Sequence, residues 1–260
     1  MLDRLTSVMQ RDAEVRKNVK SAMRYPIIVV SMMVIAFLVL TGFVVPKFAK
    51  IFTQIGLKLP LPTVILIGIA NFLRGYWWLL LTILIGGFFA LRTYIRTEKG
   101  RVWWDGFLLK IPVFGSLLMK TAMTRFTKMF ETLSRSGLPI LQIFDVVSRA
   151  VGNRVIGKAL IQASEGIEHG QGVATSLTET GLFPPLVVRM IAVGEESGAI
   201  DDMLANIAEY YDREVRASVE GMTAMIEPLL TVGMGVMVTL FALAIFLPMW
   251  NMMQLARGGH

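Results

Sequence analysis

The sequence predicts an all-α membrane protein, with three transmembrane helices and one cytoplasmic antiparallel bundle of about six helices. Hydrophobic residues make up 54% of the 260 residues and charged residues only 17%, whereas soluble domains are about half apolar and a quarter charged. The apolar excess is concentrated in three blocks that contain no charged residue. No segment shows the convincing apolar and polar alternation of a strand.

Each apolar block is long enough to suggest a membrane span. The first lies between Pro26 and Pro46 and would cover roughly 28 Å at the rise of an α-helix, close to the thickness of a hydrocarbon core. The second covers residues 76–91 and opens with Trp77 and Trp78, which resemble interfacial anchors. The third covers residues 229–250.

The segment between the first two spans predicts a separate short helix. Pro60 and Pro62 should prevent a helix from running through, and Thr63 could cap a new one. The apolar stretch 64–72 is too short to cross a membrane by itself. We therefore expect an interfacial helix that ends near Gly75, before the second span.

Lysine and arginine placement predicts the orientation. Residues 1–25 contain six basic and three acidic residues, and the second span is followed by Arg92, Arg96, Lys99 and Arg101. Basic flanks favour the cytoplasmic side, so residues 1–25 and 92–228 are expected there, with the C-terminus on the other side. Residues 92–228 hold 15 basic and 16 acidic residues. This balance, with the basic excess beside apolar blocks, favours contact with lipid and no nucleic-acid partner.

The two ends of the chain resemble each other. The tripeptide EVR occurs at 14–16 and at 214–216, and each copy leads to a proline, Pro26 or Pro228, before an apolar block. Such repetition predicts a duplicated unit in which an amphipathic helix feeds a membrane helix. The chain would then open at the last helix of a first unit, as a naturally short form or a fragment.

Glycine and proline punctuation divides the cytoplasmic region into about six helices. Expected stops are Gly137 and Gly170, and Asn153 is expected to cap the helix between residues 153 and 169. A further helix should follow Pro184, and the last should run from Ile200 toward Pro228. Short connections of this kind favour antiparallel neighbours in a bundle.

A group of carboxylates near residue 200 raises the question of chemistry. The candidates for a partner-binding or ion-binding surface are Glu195, Glu196, Asp201, Asp202 and Glu227. The favoured interpretation of the first four is structural, because Gly198 can end one helix and aspartates suit the first turn of the next. Glutamates at a helix C-terminus are disfavoured by the dipole and need another partner. Catalysis ranks last, since the chain has no cysteine and only two histidines.

Several motifs resemble one known family, the type II secretion system F family. They are "KSAMRYP", "LPLPTVILIGIANFLRGYWW", "SRSGLPILQIFDVVSRAVGN", "FPPLVVRMIAVGEESGAIDDMLANIAEYYDREV" and "EPLLTV". The resemblance covers essentially the whole chain. It implies two homologous cytoplasmic domains, of which this chain would retain only the last helix of the first. The fold-defining landmarks that it implies are Pro26, Pro46, Gly137, Pro184, Gly194, Gly198 and Pro228.

The resemblance implies a non-catalytic platform in the bacterial inner membrane, with a cytoplasmic N-terminus and a periplasmic C-terminus. Such a platform serves type II secretion or type IV pilus assembly and couples a cytoplasmic assembly ATPase to pilin-like or pseudopilin subunits. Further expected partners are other inner-membrane components, lipid and copies of itself, and no cofactor or metal is expected. The alternative is a small membrane enzyme or transporter, such as a pilin-processing peptidase. That alternative is disfavoured because the predicted spans contain no aspartate.

These interpretations divide the chain into seven segments. They are the last helix of a truncated first cytoplasmic domain (1–25), span 1 (26–46), a non-cytoplasmic loop with an interfacial helix (47–75), span 2 (76–95), the second cytoplasmic domain (96–227), span 3 (228–250) and a C-terminal tail (251–260).

Overall fold

The computed structural model of the chain describes residues 24–44, 46–47 and 61–257. These residues divide into a bundle unit, Ala90–Met222, and a span unit, whose described residues fall within Arg16–Phe89 and Thr223–His260. No strand occurs among them. The helices are α1 (Arg24–Val44), α2 (Leu61–Arg96), α3 (Glu98–Lys110), α4 (Phe114–Ser134), α5 (Ile140–Ala150), α6 (Arg154–Glu168), α7 (Val173–Glu179), α8 (Pro185–Ser197) and α9 (Ile200–Arg257). The last five residues of α1, Leu40–Val44, form a π-helix. The N-terminal copy of the repeat, Pro60 and the last three residues lie outside the described part.

Three helices are long and apolar enough to cross a membrane, as predicted. They are α1, the segment Gly75–Arg96 of α2 and the segment Ile200–Leu247 of α9. The apolar 18-residue stretch within each has a mean hydropathy of 2.9, 1.7 and 2.4, respectively. Helices α3 and α4 qualify only as a pair bent by 111°. Because α4 supplies buried aromatic residues to the bundle unit, we do not count this pair as a span.

The predicted break between an interfacial helix and the second span is absent. Helix α2 begins at Leu61 and runs through Gly75 to Arg96 without interruption. Pro62 is tolerated because it lies in the first turn of the helix, where backbone N–H groups have no intrahelical acceptor. The N–H group that proline lacks would therefore make no hydrogen bond within the helix. Thr63 does not cap a helix, since its hydroxyl donates a hydrogen bond to the Ala244 carbonyl of α9 at 3.0 Å.

The expectation that Pro228 opens a new helix is also wrong. Helix α9 continues from Ile200 to Arg257 with Pro228 in its interior. A proline there cannot donate to the carbonyl four residues earlier, which belongs to Ala224 in this helix. Pro26, by contrast, lies in the first turn of α1, and Pro46 has a helical backbone two residues beyond Val44.

Within the span unit, α1, α2 and α9 pack around a small apolar core. Leu66, Phe241 and Ala244 are buried there, and the ring of Phe37 meets Phe241 edge-on with centroids 5.7 Å apart. Most other apolar side chains of these segments are exposed. Exposed apolar surface of this extent fits helices that face lipid rather than water.

The core of the bundle unit is built around a group of phenylalanines. Phe126 is fully buried, and its ring centroid lies 5.5 Å from that of Phe183 and 6.4 Å from that of Phe144. Phe130 meets Phe144 edge-on at 5.5 Å. Helices α4 to α8 and the first part of α9 are the six that the sequence predicted, and α3 is an additional one.

Replacing Phe126 by alanine should destabilise the bundle unit by about 3–5 kcal/mol, because a fully buried ring leaves a cavity that its neighbours fill only in part. Thermal unfolding of the full chain in detergent, followed by circular dichroism, measures the effect. Phe114→Ala is the matched control, since that ring is 52% exposed and its loss should change stability by less than about 0.5 kcal/mol. Equal melting temperatures for the two variants would contradict this description of the core.

Candidate functional site

The predicted acidic group lies at the junction of α8 and α9. Gly198 follows the last residue of α8 and has a φ of 68°, a left-handed conformation that glycine adopts without steric cost. The N–H of Ala199 then donates to the Gly194 carbonyl at 2.9 Å, which closes the helix end. The structure thus confirms that Gly198 ends α8.

Gly194 lets the start of α9 approach α8 closely. A Cβ atom at this position would lie 2.9 Å from the Cα atom of Ile200 and 3.0 Å from Cγ of Met203. The first of these atoms belongs to the backbone, so relief would require the two helices to separate. Any residue larger than glycine would therefore displace the first turn of α9.

The carboxylate of Glu195 binds the N-terminus of α7. Its two oxygens accept hydrogen bonds from the N–H groups of Val173, at 2.8 Å, and Ala174, at 3.1 Å. These amides have no partner within their own helix, and the positive end of the helix dipole adds to the attraction. The partner that Glu195 required is therefore inside the protein, 22 residues earlier in the chain.

Asp201 and Asp202 occupy the first turn of α9, as predicted. The exposed amides and the positive end of the helix dipole stabilise a carboxylate there. Asp202 is 73% exposed and lies 3.5 Å from the guanidinium group of Arg135. The Oδ1 atom of Asp201 is buried and accepts no hydrogen bond from the described residues. The pair thus faces two different environments.

Glu196 and Glu227 have exposed side chains. Glu196 lies in the last turn of α8, and Glu227 directly precedes Pro228 in α9. Within the described residues, no three acidic or histidine side chains come together in a way that could hold a metal ion. A partner-binding role for these carboxylates remains a prediction.

Two other landmarks also lie at helix ends. Pro184 has an extended backbone, and its carbonyl accepts the N–H of Val187 at 3.0 Å, which starts α8. Gly137 has a φ of 79° in the turn after α4. Both positions therefore fix where a helix of the bundle begins or ends.

Ion pairs between α4 and α9 were missed by the sequence analysis. Lys120 Nζ lies 2.7 Å from Glu214 Oε2, and Lys128 Nζ lies 3.0 Å from Asp212 Oδ1. As the residue number rises along α4, that of its partner falls along α9, so the two helices run in opposite directions. The signal was present, because Lys120, Lys128 and Arg135 recur about every two helical turns on α4.

Three apolar helices that are long enough to cross a membrane, together with a helical bundle, define a multi-pass membrane protein of the all-α class. The family described as "Type II secretion system (T2SS), protein F" matches residues 126–248. The chain belongs to this family.

Relatives support the assignment over nearly the whole chain. A type IV pilus assembly protein PilC of Thermus thermophilus is 40% identical over 96% of this chain and 62% of its own length. A type II secretion system protein F of Pseudomonas aeruginosa is 33% identical over 98% and 63%. A type IV pilus assembly protein PilC of the same organism is 32% identical over 97% and 68%. The chain therefore spans less than two thirds of the length of the first two of these relatives.

We predict that Glu195→Ala destabilises the bundle unit by about 1–2 kcal/mol, since losing a cap leaves two amides of α7 without an acceptor. Glu195→Gln should cost less, because its amide oxygen still accepts one hydrogen bond. Glu196→Ala, one residue further on, serves as the control and should stay within about 0.5 kcal/mol of the parent. Chemical denaturation of the detergent-solubilised chain measures the free energy of unfolding of each variant. Equal losses of stability for the alanine variants at 195 and 196 would refute the capping role.

Gly194→Ala should also be destabilising, by about 1–3 kcal/mol, because the added methyl group overpacks the contact with α9. Gly221→Ala is a suitable control, since a methyl group added there would meet no neighbouring atom within 4 Å. There alanine should be neutral or stabilise helix α9 by up to about 1 kcal/mol. The melting temperature of Gly194→Ala should therefore fall, whereas that of Gly221→Ala should stay the same or rise. A melting temperature of Gly194→Ala equal to that of the parent would contradict the close contact.

Proposed function

We propose that this chain acts as a non-catalytic platform in the bacterial inner membrane, in a type II secretion or type IV pilus assembly machine. Its family membership and the names of its relatives support this role. In this proposal the bundle unit and the N-terminus face the cytoplasm, and the C-terminus faces the periplasm. The basic residues that flank the spans support that orientation.

The observation that carries the proposal is that one helix contributes to two cores. In its first part, α9 supplies Leu204 and Ile207 to the core of the bundle unit. In its second part, the same helix supplies Phe241 and Ala244 to the core of the span unit. A platform must pass a displacement made by a cytoplasmic motor to components in the membrane, and a helix that continues past Pro228 provides a covalent route for it.

The partners in this proposal are a cytoplasmic assembly ATPase, pilin-like or pseudopilin subunits, other inner-membrane components of the machine and further copies of this chain. We propose Glu196 and Glu227 as contact residues, because both carboxylates are exposed. Asp202 is a third candidate, since it is largely exposed beside Arg135. Glu195 is better explained by its hydrogen bonds within the protein.

An insertion in α9 tests the coupling. Four glycines placed after Met222 should interrupt the helix and abolish filament assembly or secretion, because glycine disfavours the helical backbone. Four alanines at the same place are the matched control, as they add about one turn and preserve the helical register. Both variants are expressed in the natural host after deletion of the native copy, and surface filaments or secreted substrate are counted.

The expected result is that the alanine variant retains more function than the glycine variant, while both reach the membrane at equal levels. Affinity capture of the tagged parent protein should also recover an assembly ATPase and pilin-like subunits. Equal function of the two insertions would overturn coupling through α9. Undiminished assembly in the deletion strain, with neither partner recovered, would overturn the platform role itself.

A further inference from the structure

Helix α3 presents a face with lysines at its ends and aromatic residues between them. Lys99, Trp103, Phe107 and Lys110 follow one another at spacings of four, four and three residues, so they share one side of the helix. All four are exposed, with Trp103 at 56% and Phe107 at 48%. A contiguous exposed apolar patch on a folded surface marks a candidate contact with a protein or a membrane.

The exposed rings form one continuous layer. Trp103 stacks on Phe107 with centroids 5.8 Å apart and planes inclined by only 7°. Tyr94, in the last turns of α2, meets Trp103 edge-on at 6.3 Å. The layer therefore begins on the helix that contains the second span and continues onto α3.

Other residues attach α3 to the bundle, so the aromatic face is not needed for that purpose. The carboxylate of Asp105 accepts a hydrogen bond from the backbone N–H of Arg154 at 2.6 Å, at the start of α6. Leu109 packs against the core, and a methyl group added at Gly106 would lie 3.6 Å from Val155. Trp103 and Phe107 remain exposed although α3 is docked.

We infer that α3 lies in the headgroup layer of the membrane, with Trp103 and Phe107 inserted at the boundary of the acyl chains and its lysines bound to anionic phospholipid. This membrane contact goes beyond the platform role, and it rests on the proposed orientation, in which Gly75–Arg96 crosses the membrane with Arg96 at the cytoplasmic end. Tryptophan and other amphipathic rings prefer this depth, and a helix with apolar residues on one face and basic residues beside them is typical of interfacial binding.

Continuity with the span supports a lipid partner. A single residue, Thr97, separates the end of α2 at Arg96 from the start of α3, and its hydroxyl caps α3 by accepting the N–H of Gly100 at 3.1 Å. Helix α3 therefore starts where the membrane surface is expected.

Charge is also complementary to an anionic bilayer. Between residues 96 and 110 there are four basic residues, namely Arg96, Lys99, Arg101 and Lys110. The two acidic residues of the segment are accounted for, since Asp105 binds the start of α6 and Glu98 lies in the first turn of α3, where the helix dipole favours it. A basic cluster next to a cytoplasmic span end is attracted to anionic headgroups.

Spin labels at single cysteines test the inference in the full chain, which contains no natural cysteine. Phe107→Cys places the label on the aromatic face, and Ile161→Cys places it on an exposed side chain of α6 (49% exposed). Both proteins are reconstituted in nanodiscs of phosphatidylcholine with a minority of phosphatidylglycerol. The ratio of oxygen to water-soluble nickel relaxation should be several-fold higher at 107 than at 161, because oxygen concentrates in the bilayer.

The lysines are tested in the same nanodiscs. Lys99→Gln with Lys110→Gln should lower the ratio at 107, whereas Arg149→Gln with Lys158→Gln, on exposed parts of α5 and α6, should not. Removing phosphatidylglycerol should also lower the ratio at position 107 of the Phe107→Cys protein that keeps both lysines. Water-like relaxation at 107 in both lipid mixtures would overturn the inference, and so would protection of that label only after addition of a protein partner.

Discussion

The bundle unit depends on the close contact between α8 and the start of α9 at Gly194. Because no Cβ atom intervenes, the backbone of α9 can pass within van der Waals distance of α8. The next residue, Glu195, binds the N-terminus of α7 through both carboxylate oxygens. Two adjacent residues therefore join three helices, one through the absence of a side chain and the other through a charged one.

The same contact sets the direction in which α9 leaves the junction. Gly198 ends α8 in a left-handed conformation, and α9 then runs antiparallel to α4, where ion pairs connect the two helices. Lys128 and Asp212 are each only 16% exposed, so removal of Asp212 would leave the ammonium group of Lys128 in surroundings poor in water. Such pairs favour one register of α4 against α9 over neighbouring ones.

Local patterns in the sequence predicted most helix ends of the bundle, because each depends on a few neighbouring residues. Asn153 caps α6 by accepting the N–H groups of Val155 and Ile156, as expected from its position alone. The rule that proline ends a helix failed at Pro62 and Pro228. The first lies where the missing N–H costs nothing, and the second lies in a helix whose packing on both sides outweighs one lost hydrogen bond.

The candidate site was less predictable because its contacts join distant parts of the chain. The sequence showed that Glu195 is poorly placed for the dipole of its own helix, but nothing near it indicated that the amides of Val173 and Ala174 would satisfy it. The partners of Lys120 and Lys128 are likewise more than 80 residues away. A single sequence records which groups need partners, and only the fold determines which partners they find.

Helix α9 shows why one hydrophobicity rule does not serve the whole chain. In the bundle unit its apolar residues, such as Leu204 and Ile207, are buried, and charged residues such as Arg213 are largely exposed. In the span unit apolar residues of the same helix, such as Val232 and Phe246, are exposed instead. The hydrocarbon of a bilayer would surround these side chains. Water forces the first part to bury its apolar side, whereas lipid gives the second part no such drive. Small packing contacts, such as that of Phe37 with Phe241, must therefore hold the spans together.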